Sequence, residues 1–158
     1  MSKALGWTLV TIQFALIALL VLLPRGAWYP LGDVVLVAGG VIVASGLAVG
    51  ALGALRLGSS LTPSPIPRQG ASLRTEGIYA LVRHPIYSGL LLVAVGLALW
   101  GASLWHALSL LALWIVISIK ARVEERLLSE TFEGYDSYAA KVGRFFPAIG
   151  RIDTPTRN

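Results

Sequence analysis

The sequence predicts an all-α integral membrane protein with four transmembrane helices, the last two forming a C-terminal helical hairpin, and with a cytosolic loop and tail. Composition is the first reason, because 56% of the 158 residues are hydrophobic and 13% are charged, whereas soluble domains carry roughly 25% charged residues. The second reason is that long uncharged runs alternate with charged segments. We therefore expect lipid to be the main solvent of this chain, which we interpret as one domain over residues 1–158.

Three uncharged runs define the predicted spans. Residues 5–23 and 34–55 are each long enough to cross the ~30 Å hydrocarbon core of a bilayer. The third run, residues 85–119, would measure about 50 Å as a single helix, which is far more than one crossing needs. It must fold back on itself, and Gly101-Ala102-Ser103 is the small, turn-permissive cluster near its middle. The sequence therefore predicts two further short helices, at residues 86–100 and 104–119.

The basic residues predict the orientation of these spans, because Lys and Arg accumulate in short cytoplasmic loops. With four crossings, twelve of the thirteen Lys and Arg residues fall on one side, and Arg25 alone lies opposite. We therefore expect both termini, the loop at residues 56–85 and the segment at residues 120–158 to be cytoplasmic. The aromatic residues expected near the outer interface are Trp28, Tyr29, Trp100 and Trp105.

Composition also argues against several classes of function. The positive charge is spread over loop ends and forms no groove-sized patch with interleaved aromatic residues, so we expect no nucleic-acid partner. The chain has no cysteine, which excludes disulfides, thiolate metal sites and a cysteine nucleophile. No spacing typical of metal ligands occurs, and we expect no metal site. The spans also lack the acidic and basic side chains that ion-coupled transport usually needs.

The second span is rich in glycine. Gly46 and Gly50 form a G-x-x-x-G pattern, with Gly39, Gly40 and Gly53 nearby. Such a face lets the backbone of a neighbouring helix approach closely. Helix packing is the main interpretation, and this span is also the expected contact if the chain forms an oligomer.

The loop before the third span contains the first candidate site. Its prolines at positions 63, 65 and 67 predict an extended strap. Arg83-His84-Pro85-Ile86-Tyr87 then stands where the third helix enters the membrane, and Pro85 suits a first helical turn. The free N–H groups of that turn, together with the helix dipole, suit a carboxylate or a phosphate. A plain helix start with an interfacial arginine would account for the same residues without a function.

The second candidate site follows the fourth span. Lys120 and Glu124 are four residues apart and therefore share one helix face. The predicted hairpin brings Glu124 and Glu125 close to His84 and Tyr87 at the same membrane surface. A solvated helix whose charges pair with one another is the alternative interpretation.

Residues 77–89, GIYALVRHPIYSG, carry a resemblance to a known family. They resemble the G-x-Y-x-x-x-R-H-P-x-Y-x-G signature of the isoprenylcysteine carboxyl methyltransferase family and related membrane phospholipid methyltransferases. Residues 124–128, 132–138 and 142–147 are similar to the family's later E-E-x-x-L, F-G-x-x-Y-x-x-Y and V-x-R-x-x-P patterns. The sequence departs from the family at Lys120, where Arg is common, and at Phe132-Glu133-Gly134-Tyr135, which lacks the usual F-G pair.

The resemblance implies a methyltransferase that uses S-adenosylmethionine, releases S-adenosylhomocysteine, and takes a lipophilic acceptor from the membrane lipids, such as the carboxylate of a prenylcysteine-like molecule. It places the cofactor between the loop, the hairpin and the C-terminal segment. The residues that it implies for cofactor binding are Ser72, Leu73, Arg74, Tyr79, His84, Pro85, Ile86, Tyr87, Glu124 and Glu125, with Ser64 as a further candidate. The residues that we expect to be catalytic are Arg83, Lys120 and Glu124.

Two other functions are compatible with the residues. A membrane reductase of the sterol-reductase-like type would use a nicotinamide cofactor, for which this short loop offers little room. A non-catalytic membrane scaffold would need only the glycine-rich packing face. Ligand-dependent stability separates the three, because a ligand that binds only the folded state stabilises it.

Overall fold

The computed structural model describes residues 3–58 and 73–152, so Ser64 and Ser72 lie outside the described residues. In these two ranges the fold is all-helical, as the sequence predicts, and contains no strand. The α-helices there are α1 (Lys3–Leu22), α2 (Asp33–Leu57), α3 (Pro85–Gly101), α4 (Leu104–Thr131) and α5 (Tyr135–Ala139), and a 3-10 helix at Gly77–Ala80 precedes α3.

Three helices of the described ranges are long and apolar enough to cross a membrane: Ala4–Leu22 within α1, Asp33–Leu57, and Leu104–Thr131. The helix α3 is also apolar but has 17 residues, which corresponds to about 25 Å and is shorter than the ~30 Å core. The chain is therefore a multi-pass membrane protein. Its fourth crossing and its orientation stay predictions.

Local sequence explains where α3 and α4 begin and end. Pro85 occupies the start of α3, where its missing N–H group would have no helical partner anyway. Ala102 ends the helix with a left-handed backbone, at φ 44°. The Oγ atom of Ser103 then accepts a hydrogen bond from the backbone N–H of His106 at 3.4 Å and caps α4. The predicted span ends at residue 119, but the helix continues to Thr131, because no glycine or proline interrupts it.

The helices α2 and α3 pack through glycine. A Cβ atom added to Gly46 would lie 2.6 Å from the carbonyl oxygen of Gly89, and one added to Gly53 would lie 2.9 Å from Cγ of Pro85. The backbones of the two helices are therefore in direct contact, as the G-x-x-x-G pattern predicts. An oligomer contact through this same glycine face would require α3 to move away from it.

The connection between α1 and α2 packs onto the turn between α3 and α4. Its backbone N–H groups at Gly26 and Trp28 donate to the carbonyl oxygens of Gly101 at 2.7 Å and of Ala102 at 3.0 Å. The hydroxyl of Tyr29 donates to the carbonyl of Leu99 at 2.5 Å. These bonds close one end of the bundle, and the candidate site lies at the other end, where α3 begins.

Candidate functional site

The segment before α3 is extended and is pinned to the chain that follows α5. The backbone N–H groups of Arg83 and His84 donate to the carbonyl oxygens of Gly143 at 2.8 Å and Arg144 at 3.1 Å. Val82 and Gly143 form a parallel bridge beside them. A Cβ atom at position 143 would overlap the carbonyl oxygen of Phe146, so a glycine there allows the chain at residues 146–149 to fold back closely against position 143.

Arg83 is buried, and all of its side-chain donors are used inside the protein. Its Nε and one Nη donate to Oε1 of Glu125 at 3.0 and 2.7 Å. The remaining bonds reach backbone carbonyls of Ala139 at 2.9 Å, Gly150 at 2.9 Å, and Val142. A guanidinium has five N–H donors, and five bonds are present. The predicted catalytic residue Arg83 therefore ties the C-terminal segment to the start of α3 and has no donor left for a substrate.

Glu125 lies at the centre of this network, with 4% of its side chain exposed. Besides Arg83, it accepts bonds from Nε and Nη2 of Arg144, the latter at 2.6 Å. The Nε2 atom of His84 lies 3.2 Å from its Oε1. Two guanidinium groups and an imidazole thus surround one carboxylate, which leaves little capacity for an external ligand.

Glu124, the neighbouring residue, is placed differently. Its side chain is 29% exposed, and its Oε2 atom accepts a hydrogen bond from the Tyr87 hydroxyl at 2.9 Å. The Nδ1 atom of His84 lies 3.8 Å from the same oxygen, and the rings of His84 and Tyr87 stack at 5.4 Å. The structure therefore brings together the four side chains that the sequence analysis expects to meet, and it leaves Glu124 as the accessible carboxylate of the pair.

Lys120 lies beneath Tyr87, with 1% of its surface exposed. Its Nζ atom is 5.3 Å from the centre of the Tyr87 ring, a cation–π contact. The same atom donates to Oε1 of Gln13 on α1 at 2.5 Å. Gln13 is not among the residues that the sequence predicts for the site, although it is the one amide side chain in the uncharged run at residues 5–23.

Two tyrosines join the 3-10 helix to α2 and α5. The hydroxyl of Tyr138 donates to the carbonyl of Tyr79 at 2.6 Å, and the hydroxyl of Tyr79 donates to the carbonyl of Gly53 at 3.3 Å. Burial, assisted by the charge of Glu124, raises the pKa of Tyr79 to about 12. Burial likewise raises the pKa of Tyr135 and of Tyr138. These hydroxyls stay neutral near pH 7, so none of them is present there as a phenolate base.

The other predicted cofactor residues lie around the start of α3. Pro85 is fully buried, and both Pro85 and Ile86 pack against Gly53 of α2. Leu73 is half-buried and Arg74 is exposed. Roles in cofactor binding and catalysis stay predictions for all of these residues. For Arg144 the sequence offers only the family resemblance, whereas the structure gives this residue a defined place through its ion pair with Glu125.

A surface cleft of about 390 Å³ lies between α4 and α5. Its lining includes Glu125, Arg144 and Tyr135, but not Tyr87, Glu124 or Lys120. The candidate site therefore adjoins this cleft, and the Glu125–Arg144 pair belongs to both.

Comparison with known proteins identifies the family of this chain. A model of the phospholipid methyltransferase family matches residues 31–134. The protein-S-isoprenylcysteine O-methyltransferase of Schizosaccharomyces pombe is 36% identical over 115 residues, which are 63% of this chain and 49% of that protein. The methanethiol S-methyltransferase of Pseudomonas deceptionensis is 36% identical over 84 residues, 51% of this chain and 30% of the relative.

A third relative is named for metal resistance and not for methyl transfer. The nickel-cobalt-cadmium resistance protein NccN of Alcaligenes xylosoxydans xylosoxydans is 36% identical over 84 residues, 52% of this chain and 39% of the relative. The chain thus spans less than half the length of each of these three relatives. Because the family model matches well over half of the chain, and because residues 77–89 carry the motif on which the resemblance rests, the chain belongs to the phospholipid methyltransferase family.

Proposed function

We propose that this protein is an S-adenosylmethionine-dependent methyltransferase that acts on a lipophilic acceptor at the cytoplasmic face of the membrane. One observation carries the proposal most directly. The carboxylate of Glu124 is partly exposed and is held by the Tyr87 hydroxyl beside the start of α3. An anionic group, an aromatic ring and a helix N-terminus therefore meet at the end of the bundle where α3 begins.

The residues present suit the cofactor. S-adenosylmethionine supplies a methyl group on a positively charged sulfur, together with an ammonium and a carboxylate. Glu124 would hold the ammonium, because Glu125 is already occupied by Arg83, Arg144 and His84. The N–H groups at the start of α3 suit the carboxylate.

Positioning is the main contribution expected from the protein. Methyl transfer needs no covalent enzyme intermediate, and holding two reactants in line with water excluded is worth up to ~7 to 11 kcal/mol in favourable model systems. The short ring and carboxylate contacts among His84, Tyr87 and Glu124 fix these side chains relative to one another. Arg83 and Glu125 support them from the interior.

The acceptor proposed is a lipid-soluble carboxylate, such as that of a prenylcysteine-like molecule. Lys120 offers a positive charge below Tyr87, and Gln13 holds its ammonium from α1. A carboxylate needs no general base, whereas a thiol or an amine would have to lose a proton. His84 and Glu124 are the nearest groups for such a transfer. The relatives include both an O-methyltransferase and an S-methyltransferase.

The proposal includes a membrane arrangement. The helices α1 to α4 each cross the bilayer, with α3 and α4 as a hairpin joined by Ala102 and Ser103, and with both termini cytoplasmic. The contact between Tyr87 near the start of α3 and Glu124 far along α4 supports an antiparallel pair. At about 25 Å, α3 is somewhat shorter than the ~30 Å hydrocarbon core, and a short span of this kind is accommodated by local thinning of the bilayer.

Ligand-dependent thermal stability in detergent tests the proposal. S-adenosylhomocysteine should raise the midpoint of unfolding, since a ligand at 100 times its Kd adds about 2.7 kcal/mol to the stability of the folded state. A rise with NADPH alone would instead support a reductase, and no rise with either ligand would support a scaffold. Incubation of the protein and labelled S-adenosylmethionine with lipid extracts would then identify the acceptor.

A further inference from the structure

The turn at residues 146–149, Phe146-Pro147-Ala148-Ile149, presents apolar side chains to the exterior. The exposed fractions of Phe146 and Ile149 are 39% and 66%, and the two residues between them are exposed as well. This turn directly follows Arg144, which pairs with Glu125 of the candidate site, and Phe145, whose ring centre lies 6.1 Å from that of His84. An apolar, exposed turn beside a polar site points to a partner of apolar chemistry.

The turn lies against the apolar part of α4. The ring of Phe146 stacks on Trp114, with ring centres 6.0 Å apart and planes 20° from parallel. Trp114 is six residues before Lys120, which corresponds to about 9 Å along the helix. Leu111 and Ile115, on the same stretch of α4, are 56% and 50% exposed. The turn therefore continues an apolar surface that belongs to a helix long enough to cross a membrane.

Internal hydrogen bonds lower the cost of placing part of this backbone in an apolar medium, where each unpaired N–H or C=O group costs several kcal/mol. The N–H of Ile149 donates to the carbonyl of Phe146 at 3.2 Å, and the N–H of Arg144 donates to the carbonyl of Ile149 at 2.8 Å. The carbonyl of Phe145 accepts from the Ser88 hydroxyl at 2.7 Å. Pro147 has no N–H group to satisfy.

We propose that the 146–149 turn inserts into the lipid bilayer beside α4, so that the membrane is the partner of this surface. Insertion of about 5 to 10 Å is typical of interfacial apolar elements. The turn then anchors the segment that carries Arg144 and Phe145, and so links lipid contact to the position of Glu125 and His84. This inference shares with the proposed function the premise that α4 crosses the bilayer, but it needs neither the cofactor nor the acceptor.

The absence of cysteine from the sequence makes a direct test simple. We would replace Ile149 by cysteine (Ile149→Cys), attach a nitroxide, and reconstitute the protein in phosphatidylcholine and phosphatidylglycerol vesicles. Collision rates with oxygen, which concentrates in lipid, and with a nickel chelate, which stays in water, measure the depth of the label. Ile115→Cys on α4 is the lipid-facing reference, and Ser137→Cys, exposed on α5, is the aqueous reference.

The oxygen-to-nickel collision ratio at position 149 should be several-fold higher than at position 137 and close to that at position 115. A ratio at position 149 equal to that at position 137 would overturn the proposal. Dipolar broadening at position 149 that disappears on dilution with unlabelled protein would also overturn it, since a second copy of the chain would then cover the turn. Unchanged elution in detergent shows that each variant is folded, and because no cofactor is present, failure of the proposed methyltransferase activity would not affect the result.

Discussion

The Nζ atom of Lys120 lies 2.5 Å from Oε1 of Gln13, a residue 107 positions earlier in the chain. Both side chains are buried, with 1% and 9% of their surface exposed. A buried charge or amide is costly without a polar partner. The pair therefore joins α1 to the candidate site on α4, and it should be visible as an energetic coupling.

A double-mutant cycle measures this coupling. Gln13→Leu leaves the ammonium of Lys120 without its amide partner, and we expect a loss of about 1 to 3 kcal/mol in unfolding free energy. Lys120→Met leaves the amide of Gln13 unsatisfied. The double variant should lose less than the sum of the two, by about 0.5 to 3 kcal/mol. Additive losses would show that the contact carries no energy, and Thr11→Val, at an exposed position of α1, should stay within about 0.5 kcal/mol of the parent.

The two adjacent glutamates should respond differently to the same change. Glu125→Gln removes the charge that compensates Arg83 and Arg144, and breaking a buried ion pair in this way typically costs about 3 to 5 kcal/mol of stability. Glu124→Gln should leave the melting temperature nearly unchanged. It should weaken binding of S-adenosylhomocysteine about ten- to 150-fold, because a hydrogen bond to a charged group contributes roughly 1.5 to 3 kcal/mol.

Thermal unfolding in detergent and a binding titration distinguish these outcomes. Arg126→Gln is the control for both measurements, since Arg126 forms an exposed ion pair with Glu130, and such pairs contribute about 0 to 1 kcal/mol. If Glu124→Gln destabilised the protein while Glu125→Gln impaired only binding, the assignment of the two carboxylates would be reversed.

Two glycines one helical turn apart offer a matched test of the α2–α3 contact. A Cβ atom at position 46 would lie 2.6 Å from a backbone oxygen of α3, whereas one at position 50 would lie 3.9 Å from its nearest neighbour. Gly46→Ala should therefore lower the melting temperature. Gly50→Ala should leave it unchanged or raise it, because alanine is favoured over glycine in a helix by about 1 kcal/mol. Equal effects at the two positions would argue against this helix packing.

Reporter fusions test the membrane orientation. Fusions after Arg74 and after Lys141 should report a cytoplasmic location, and a fusion after Gly26 should report the opposite side. The expectation follows from the distribution of the basic residues, twelve of which share one side of the four-span arrangement. A fusion after Lys141 that reports the outer side would remove the α3–α4 hairpin and, with it, the proposed site.

Much of the helical framework could be predicted because hydropathy and capping are local properties. The turn at Gly101-Ala102-Ser103 is where the uncharged run had to reverse, and the structure ends α3 at Gly101 and begins α4 at Leu104. The motif around His84 also indicated which side chains gather at the start of α3. These inferences use neighbouring residues or a short pattern, and neither requires knowledge of packing.

The long-range contacts that hold the site residues in place could not be predicted in the same way. Gln13 and Lys120 meet only through the packing of α1 on α4, and no local pattern pairs them. Glu124 and Glu125 are about 100° apart around a helix, so their accessibility depends on what covers each face. Whether Arg144 reaches the carboxylate of Glu125 depends on the path of the chain after α5. A polar residue within an apolar span, such as Gln13, is the one sequence signal that could have indicated part of this network.

The hydrogen bonds of Arg83 also set an order of events during synthesis. Its carbonyl partners at Ala139, Val142 and Gly150 lie 56 to 67 residues later in the chain. At about 5 to 20 residues per second, a ribosome makes them roughly 3 to 13 s after Arg83 itself. The guanidinium must stay hydrated during that interval, because burial without these partners is costly. The start of α3 can therefore settle into its final place only when the later segment has emerged, so the site assembles after the helices α1 to α4 have all been synthesised.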